Sequence, residues 1–190
     1  MTQWLLDNWI ELVGTIAGLV YIFLELHQRA SMWAVGIITS SMYILVFFQS
    51  KFYADMGLQV YYVCISVYGW YMWKQGGTNK SELPVQKLKV PLSLLLIGIT
   101  SILWLSIAFI LINYTDSPIP YWDAFTTALS ITATWMLAHK YLEQWLVWVV
   151  VNAVSIYLYW NKELYATVVL FTVYLILAIV GYRLWRKTMR

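Results

Sequence analysis

The residues of this 190-residue chain with the most useful chemistry lie inside apolar runs. Asn152 ends the segment Trp145-Leu-Val-Trp148-Val-Val-Val-Asn152. An amide offers two donors and an acceptor to the edge of a heteroaromatic ring. Indoles at helical steps of three and four add faces for stacking. Gln59 supplies a second amide within an apolar run in Asp55-Met-Gly-Leu-Gln59, and Ser40, Tyr43, Tyr62 and Tyr174 add hydroxyls. Such a set recognises a ligand reversibly; it does not make or break bonds. The chain has no HExxH, no P-loop and no Ser/His pair at depth. The expectation is therefore a non-enzyme with no cofactor and no metal. His27 and His139 fall at helix ends without a carboxylate cluster, and the lone Cys64 reads as a packed thiol. Glu25 is expected to pair with Arg29, four residues on, or with His27.

The elements that position these residues are set by composition. The chain is 62% hydrophobic and 11% charged, with mean hydropathy +0.67, against ~25% charged in a soluble domain. Only a lipid bilayer accommodates that balance, and it argues against a nucleic-acid partner. Spans of ~17–25 residues fit at 10–26, 31–49, 56–73, 91–113, 122–138, 144–160 and 164–182. Most breaks are short polar turns; Lys74–Val90 is the long polar loop. Trp4 and Trp9 suit an interfacial lead-in, and nothing before them reads as a cleaved signal. Gly14 and Gly18 form a GxxxG that marks close helix packing.

Seven spans put the termini on opposite sides. One side collects Arg29, Lys74, Lys80, Lys87, Lys89, Lys140, Arg183, Arg186, Lys187 and Arg190, and the other has Lys51 and Lys162. That asymmetry predicts a cytoplasmic C-terminus and an outside N-terminus.

Sliding the sequence until His27 falls on His139 aligns it with itself without a gap. At that one offset Trp33 falls on Trp145, Tyr62 on Tyr174, Gly69 on Gly181 and Trp73 on Trp185. The reading is one domain over 1–190, with a three-helix repeat at 10–73, a linker helix at 91–113 and a second repeat at 122–185. A copy displaced by four spans keeps its orientation, so the repeats are parallel, in a 3+1+3 plan. Helical stripes follow. Asp55, Gln59, Tyr62, Ser66, Gly69 and Trp73 share a face, as do Trp33, Gly36, Ser40, Tyr43 and Phe47. Their counterparts are Thr167, Phe171, Tyr174, Ala178, Gly181 and Trp185, and Trp145, Trp148, Asn152, Ser155 and Tyr159. The faces correspond in position but differ in chemistry, as an asymmetric ligand requires.

Trp33-Ala-Val-Gly36, Tyr53-Ala-Asp55-Met-Gly-Leu-Gln59, Tyr68-Gly69-Trp70-Tyr71-Met72-Trp73 and Lys140-Tyr-Leu-Glu143-Gln144-Trp145-Leu-Val-Trp148-Val-Val-Val-Asn152 together resemble the PnuC family of bacterial vitamin transporters. The resemblance spans nearly the whole chain. It implies a SWEET-like 3+1+3 fold, a homotrimer in the bacterial inner membrane, and facilitated diffusion of a vitamin that a cytoplasmic kinase traps by phosphorylation. It also implies a substrate site between the repeats that uses Gln144, Trp145, Trp148 and Asn152 with Gln59. The Tyr53–Tyr62 motif resembles the thiamine-transporting branch. Nicotinamide-riboside members tend to carry Asn, Pro and Gln where Gln59, Cys64 and Ser66 stand. Thiamine is therefore the expected substrate, with nicotinamide riboside as the alternative. Outside transport, the competing classes are a membrane scaffold and an intramembrane enzyme.

Overall fold

The computed structural model describes residues 9–49, 53–161 and 163–189. Trp4, Lys51, Lys162 and Arg190 lie outside them, as do the surroundings of Gly14 and the side chains of Tyr53, Ala54 and Asp55. Seven α-helices are present among the described residues. These are α1 (Trp9–Leu26), α2 (Ser31–Gln49), α3 (Tyr53–Gln75), α4 (Val90–Tyr114), α5 (Pro120–Ala138), α6 (Gln144–Asn161) and α7 (Tyr165–Thr188). By length and composition, α2, α4 and the Thr167–Thr188 stretch of α7 qualify as membrane-crossing helices. The chain divides into two compact units, Met1–Leu83 and Pro84–Arg190.

In the first unit α2 packs on both α1 and α3; in the second α6 packs on both α5 and α7, and α4 lies along α5. The helix α4 is apolar all round. Leu94, Leu95, Ile97, Ile102, Leu105 and Phe109 are exposed, and Leu96 and Ala108 are its buried residues. An exposed surface of that kind belongs in hydrocarbon. The helix α5 is the reverse. Ala124, Ala128, Ala133 and Ala138 are buried along it, and small side chains let neighbouring helices approach closely. Pro120 stands at the start of α5, where a missing N–H costs nothing.

The short turns close by a shared device. Gln28, Lys140 and Glu163 take φ of 54°, 52° and 59°. The N–H after each reaches back across the last turn of the helix: Arg29 to Leu24 at 2.9 Å, Tyr141 to Met136 at 3.0 Å, and Leu164 to Tyr159 at 3.0 Å. This is the Schellman cap, which satisfies carbonyls that would otherwise end a helix unpaired. The turns after α1 and α5 correspond at the offset that aligns His27 with His139. Even the His27 and His139 Nδ1 atoms meet the Phe23 and Trp135 carbonyls at 2.8 and 2.9 Å.

Several helices overrun the expected spans. The helix α3 runs from 53 to 75 rather than 56 to 73, and α7 continues to Thr188 rather than stopping at 182. Arg186 and Lys187 sit in its last turn, where cations complement the helix dipole. Two expectations are corrected. Cys64 is exposed on the surface of α3 rather than packed, since it falls outside that helix's polar stripe. The Lys74–Val90 segment is partly ordered rather than a plain loop. It forms a 3₁₀ turn at Thr78–Lys80 and then straps the α5–α6 turn. The Gln86 N–H bonds Lys140 O at 3.1 Å, and the Leu142 N–H bonds Gln86 O at 2.9 Å. Gln86 Nε2 donates to His139 O at 2.9 Å, and the Leu88 N–H donates to Glu143 Oε2 at 2.9 Å. Lys140, one of the ten basic residues that set the expected orientation, is buried within this turn.

Two outcomes are expected. Glu143→Ala should speed amide hydrogen exchange at Leu88, because its acceptor is lost, at a cost of about 0.5–1.5 kcal/mol. Unchanged protection there would remove the carboxylate from the strap. Gly69→Val and Gly181→Val should each lower the melting temperature in detergent by the equivalent of about 1–3 kcal/mol, because a side chain there meets the ring of Trp33 or Trp145.

Candidate recognition site in the membrane helices

Each unit is keyed by a tryptophan seated on a glycine. A β-carbon at Gly69 would overlap the ring of Trp33, and one at Gly181 would lie 2.6 Å from Trp145. Each ring then meets a second indole edge-on: Trp33 and Trp73 at 5.7 Å and 86°, Trp145 and Trp185 at 5.5 Å and 89°. Edge-to-face contact is the arrangement that aromatic quadrupoles favour. Trp145 is only 1% exposed. It is enclosed by Gly181 and Trp185. Gln144 beside it is wholly buried.

With these rings fixed, the polar stripes face inward. The described residues include nine buried polar or charged side chains. Thr132 and Thr134 bond back to carbonyls of their own helix, at 3.1 and 2.7 Å. Glu25, Lys140 and Gln144 also have partners. The remaining four, Ser40, Ser66, Asn152 and Ser155, make no side-chain hydrogen bond among the described residues. The residues are buried, but the buried polar atoms that lack a hydrogen-bond partner among the described residues include the Trp33 and Trp145 Nε1 atoms and none on these four. Ser40 and Asn152 are counterparts under the repeat. Asn152 carries the most capacity, with two donors and an acceptor. Gln59, Tyr43, Tyr62, Trp148 and Tyr174 are half-buried. Tyr174 ends a line of rings that links α6 to α7: Tyr159 to Phe171 at 5.2 Å, and Phe171 to Tyr174 at 6.0 Å. Tyr43 stacks on Phe47 at 5.8 Å.

The units fill their interiors differently. In the first, Gly36 leaves room for Ser66 Oγ and the Tyr21 ring, 3.0 and 3.2 Å from where its β-carbon would lie. The counterparts of Gly36, Tyr21 and Ser66 are Trp148, Ala133 and Ala178. Ala133 and Ala178 are fully or nearly fully buried. The bulky residue of the trio is on α1 in the first unit and on α6 in the second. The stripes marked Ser66 and Ser155, but without the burial pattern neither ranked as a site residue. Glu25 is buried, whereas Arg29 and His27, its expected partners, are largely open to solvent or exposed. Among the described residues no three His, Cys, Asp or Glu side chains gather to hold a metal.

Comparison with known proteins places this geometry. Residues 8–187 match the family described as nicotinamide mononucleotide transporter. The nicotinamide riboside transporter PnuC of Escherichia coli (strain K12) is 31% identical, over 96% of this chain and 87% of that protein. PnuC of Neisseria mucosa is 27% identical, over 97% of this chain and 74% of that protein. The crystal structure of the vitamin B3 transporter PnuC superposes with a TM-score of 0.74 at 26% identity, covering 96% of this chain and 82% of that one. The all-helical architecture is that of a membrane transporter.

Ala178→Leu should overpack the buried position of Ala178, which is 1% exposed, lower ligand affinity if Trp148 packs there, and cost about 1–3 kcal/mol of stability. Ala178→Ser should be tolerated, since Ser66 stands at the counterpart position. A ligand titration with thermal melting separates the two; equal affinity in both variants would show that Trp148 is not packed there.

Proposed function

The chain belongs to the nicotinamide mononucleotide transporter (PnuC) family, and from that premise we propose that it carries nicotinamide riboside across the membrane by facilitated diffusion. It is a multi-pass transport protein of the bacterial inner membrane and not an enzyme. The observation that carries the substrate reading is similarity over 96% of the chain to a named nicotinamide riboside transporter. The site chemistry agrees. Nicotinamide riboside presents a cationic aromatic ring with a carboxamide edge. Asn152 offers a matching amide, and Trp148 a ring face that attracts a cation. Ser155 and Tyr174 in the same unit, and Gln59, Ser40, Tyr43 and Tyr62 in the other, are further candidates for contact with substrate. Trp145 and Gln144 support them by packing.

Thiamine stands as the second reading. It rests on Gln59, Cys64 and Ser66, where nicotinamide-riboside members tend to carry other residues, and the comparisons favour nicotinamide riboside over it. The rest of the reading follows the family. Two parallel three-helix repeats flank α4, with the N-terminus outside. The recurrence of the turns and of the tryptophan–glycine contacts at one fixed offset supports the repeat, and the ten-to-two split of basic residues supports the orientation. A homotrimer and a cytoplasmic kinase that traps the product complete it.

The test is uptake into proteoliposomes without ATP or an ion gradient, with labelled nicotinamide riboside, thiamine and riboflavin in parallel. Saturable entry of nicotinamide riboside above empty liposomes is expected. Preference for thiamine would reverse the substrate, and no flux of any of them would leave a scaffold. Asn152→Ala should weaken binding of the transported compound by about 1–3 kcal/mol.

A further inference from the structure

A groove of about 440 Å³ lies in the second unit, walled by α4, α5 and α6, with Leu88 of the strap in its lining. None of the recognition residues described above lines it. Its walls are Leu96, Ile97, Leu129, Met136 and Leu146, among others. Its hydroxyls are already engaged. Ser93 Oγ donates to Val90 O at 2.7 Å, Ser101 Oγ to Ile97 O at 2.9 Å, and Thr100 Oγ1 to Leu96 O at 2.7 Å with Thr132 Oγ1 also at 2.7 Å. Glu143, the charged group in the wall, has one carboxylate oxygen on the Leu88 N–H. The groove therefore offers alkyl contact and no spare hydroxyl donor, which suits a hydrocarbon chain rather than a polar substrate.

Length and charge narrow the occupant. From Ser93 to Trp104 the groove follows α4 for about 16 Å at the helical rise. That is about half of the ~30 Å hydrocarbon core, the depth of one leaflet. Lys87 and Lys89 flank Leu88 in the chain, and both are exposed. They lie on the side that collects most of the chain's basic residues, where anionic lipid is concentrated.

We propose that this groove holds one acyl chain of an anionic phospholipid, with its phosphate met by Lys87 and Lys89. The lipid then rests on the strap and on α4, and joins them to the α5–α6 hairpin.

The test is native mass spectrometry of the full chain released from vesicles of equal phosphatidylglycerol and phosphatidylcholine. The wild type should retain phosphatidylglycerol preferentially. Lys87→Ala and Lys89→Ala should each cut that preference about fivefold, and both are surface changes that leave the helices intact. Ile97→Trp should fill the groove and reduce retention of either lipid; circular dichroism and melting in detergent verify that this variant folds. Equal retention of the two lipids by the wild type would overturn the proposal. So would retention unaltered by a folded Ile97→Trp. An assembly of copies that Ile97→Trp dissociates, with lipid binding unchanged, would also overturn it by assigning the groove to a second chain.

Discussion

Hydrocarbon gives one helix no hydrophobic reason to associate with another, so shape has to hold a membrane bundle together. In this chain the shape contact is an indole laid where a glycine has no side chain. Trp33 on Gly69 and Trp145 on Gly181 each bring two helices close together, and Trp73 and Trp185 close the edge. The Nε1 atoms of both rings are buried without a hydrogen-bond partner among the described residues. Such a group costs about 1–3 kcal/mol, and the same cost is accepted at both positions, which indicates that close ring packing outweighs it. Because these contacts fix how α2 turns against α3 and α6 against α7, they also decide which stripe points inward. Ser40 and Asn152 face the interior as a consequence.

A shared frame does not require a shared filling. The turns after α1 and α5 close with the same cap, and the tryptophan–glycine seats agree in kind. Between them, Gly36, Tyr21 and Ser66 give way to Trp148, Ala133 and Ala178. The volume is conserved roughly while its source moves from one helix to another. The result is one interior with a small hydroxyl and one with a large indole beside an amide. Asymmetry of this sort lets two similar frames carry different groups in their interiors. It arises from substitution at packed positions, on helices that keep the same order and the same turns.

Much of this was legible in the sequence, for reasons that can be named. Helix positions follow from apolar runs, and the internal repeat shows because tryptophan, glycine and histidine are distinctive markers in an apolar background. The inward stripe on α6 follows from steps of three and four. The strap was not legible. A single residue, Gln86, pairs with the α5–α6 turn, and one residue gives no periodicity to read. Glu143 looks like an ordinary loop charge because its partner is a backbone N–H 55 positions away. Lys140 looks like a topology charge because its sequence neighbours are polar, yet its turn is folded under the strap. The burial of Trp145 was not legible either, because spacing reports which face a residue occupies and cannot report that a glycine on another helix covers it. The substrate is harder to read for a related reason. Three positions on α3 point one way, and similarity spread along nearly the whole chain points the other.

The treatment of hydroxyls separates structure from function most sharply. In lipid a serine or threonine can satisfy itself on the carbonyl one turn back, and many here do: Thr100, Ser101, Ser130, Thr132, Thr134 and Thr172. A helix therefore has a local remedy for a buried hydroxyl. Ser40, Ser66 and Ser155 do not use it, and Asn152 donates to no carbonyl on α6. The four fall on the stripes that the tryptophan seats turn inward, two in each unit, and they divide as the repeat divides. Hydroxyls and an amide held back from the backbone, at positions set by aromatic packing, keep their hydrogen-bonding capacity for other partners.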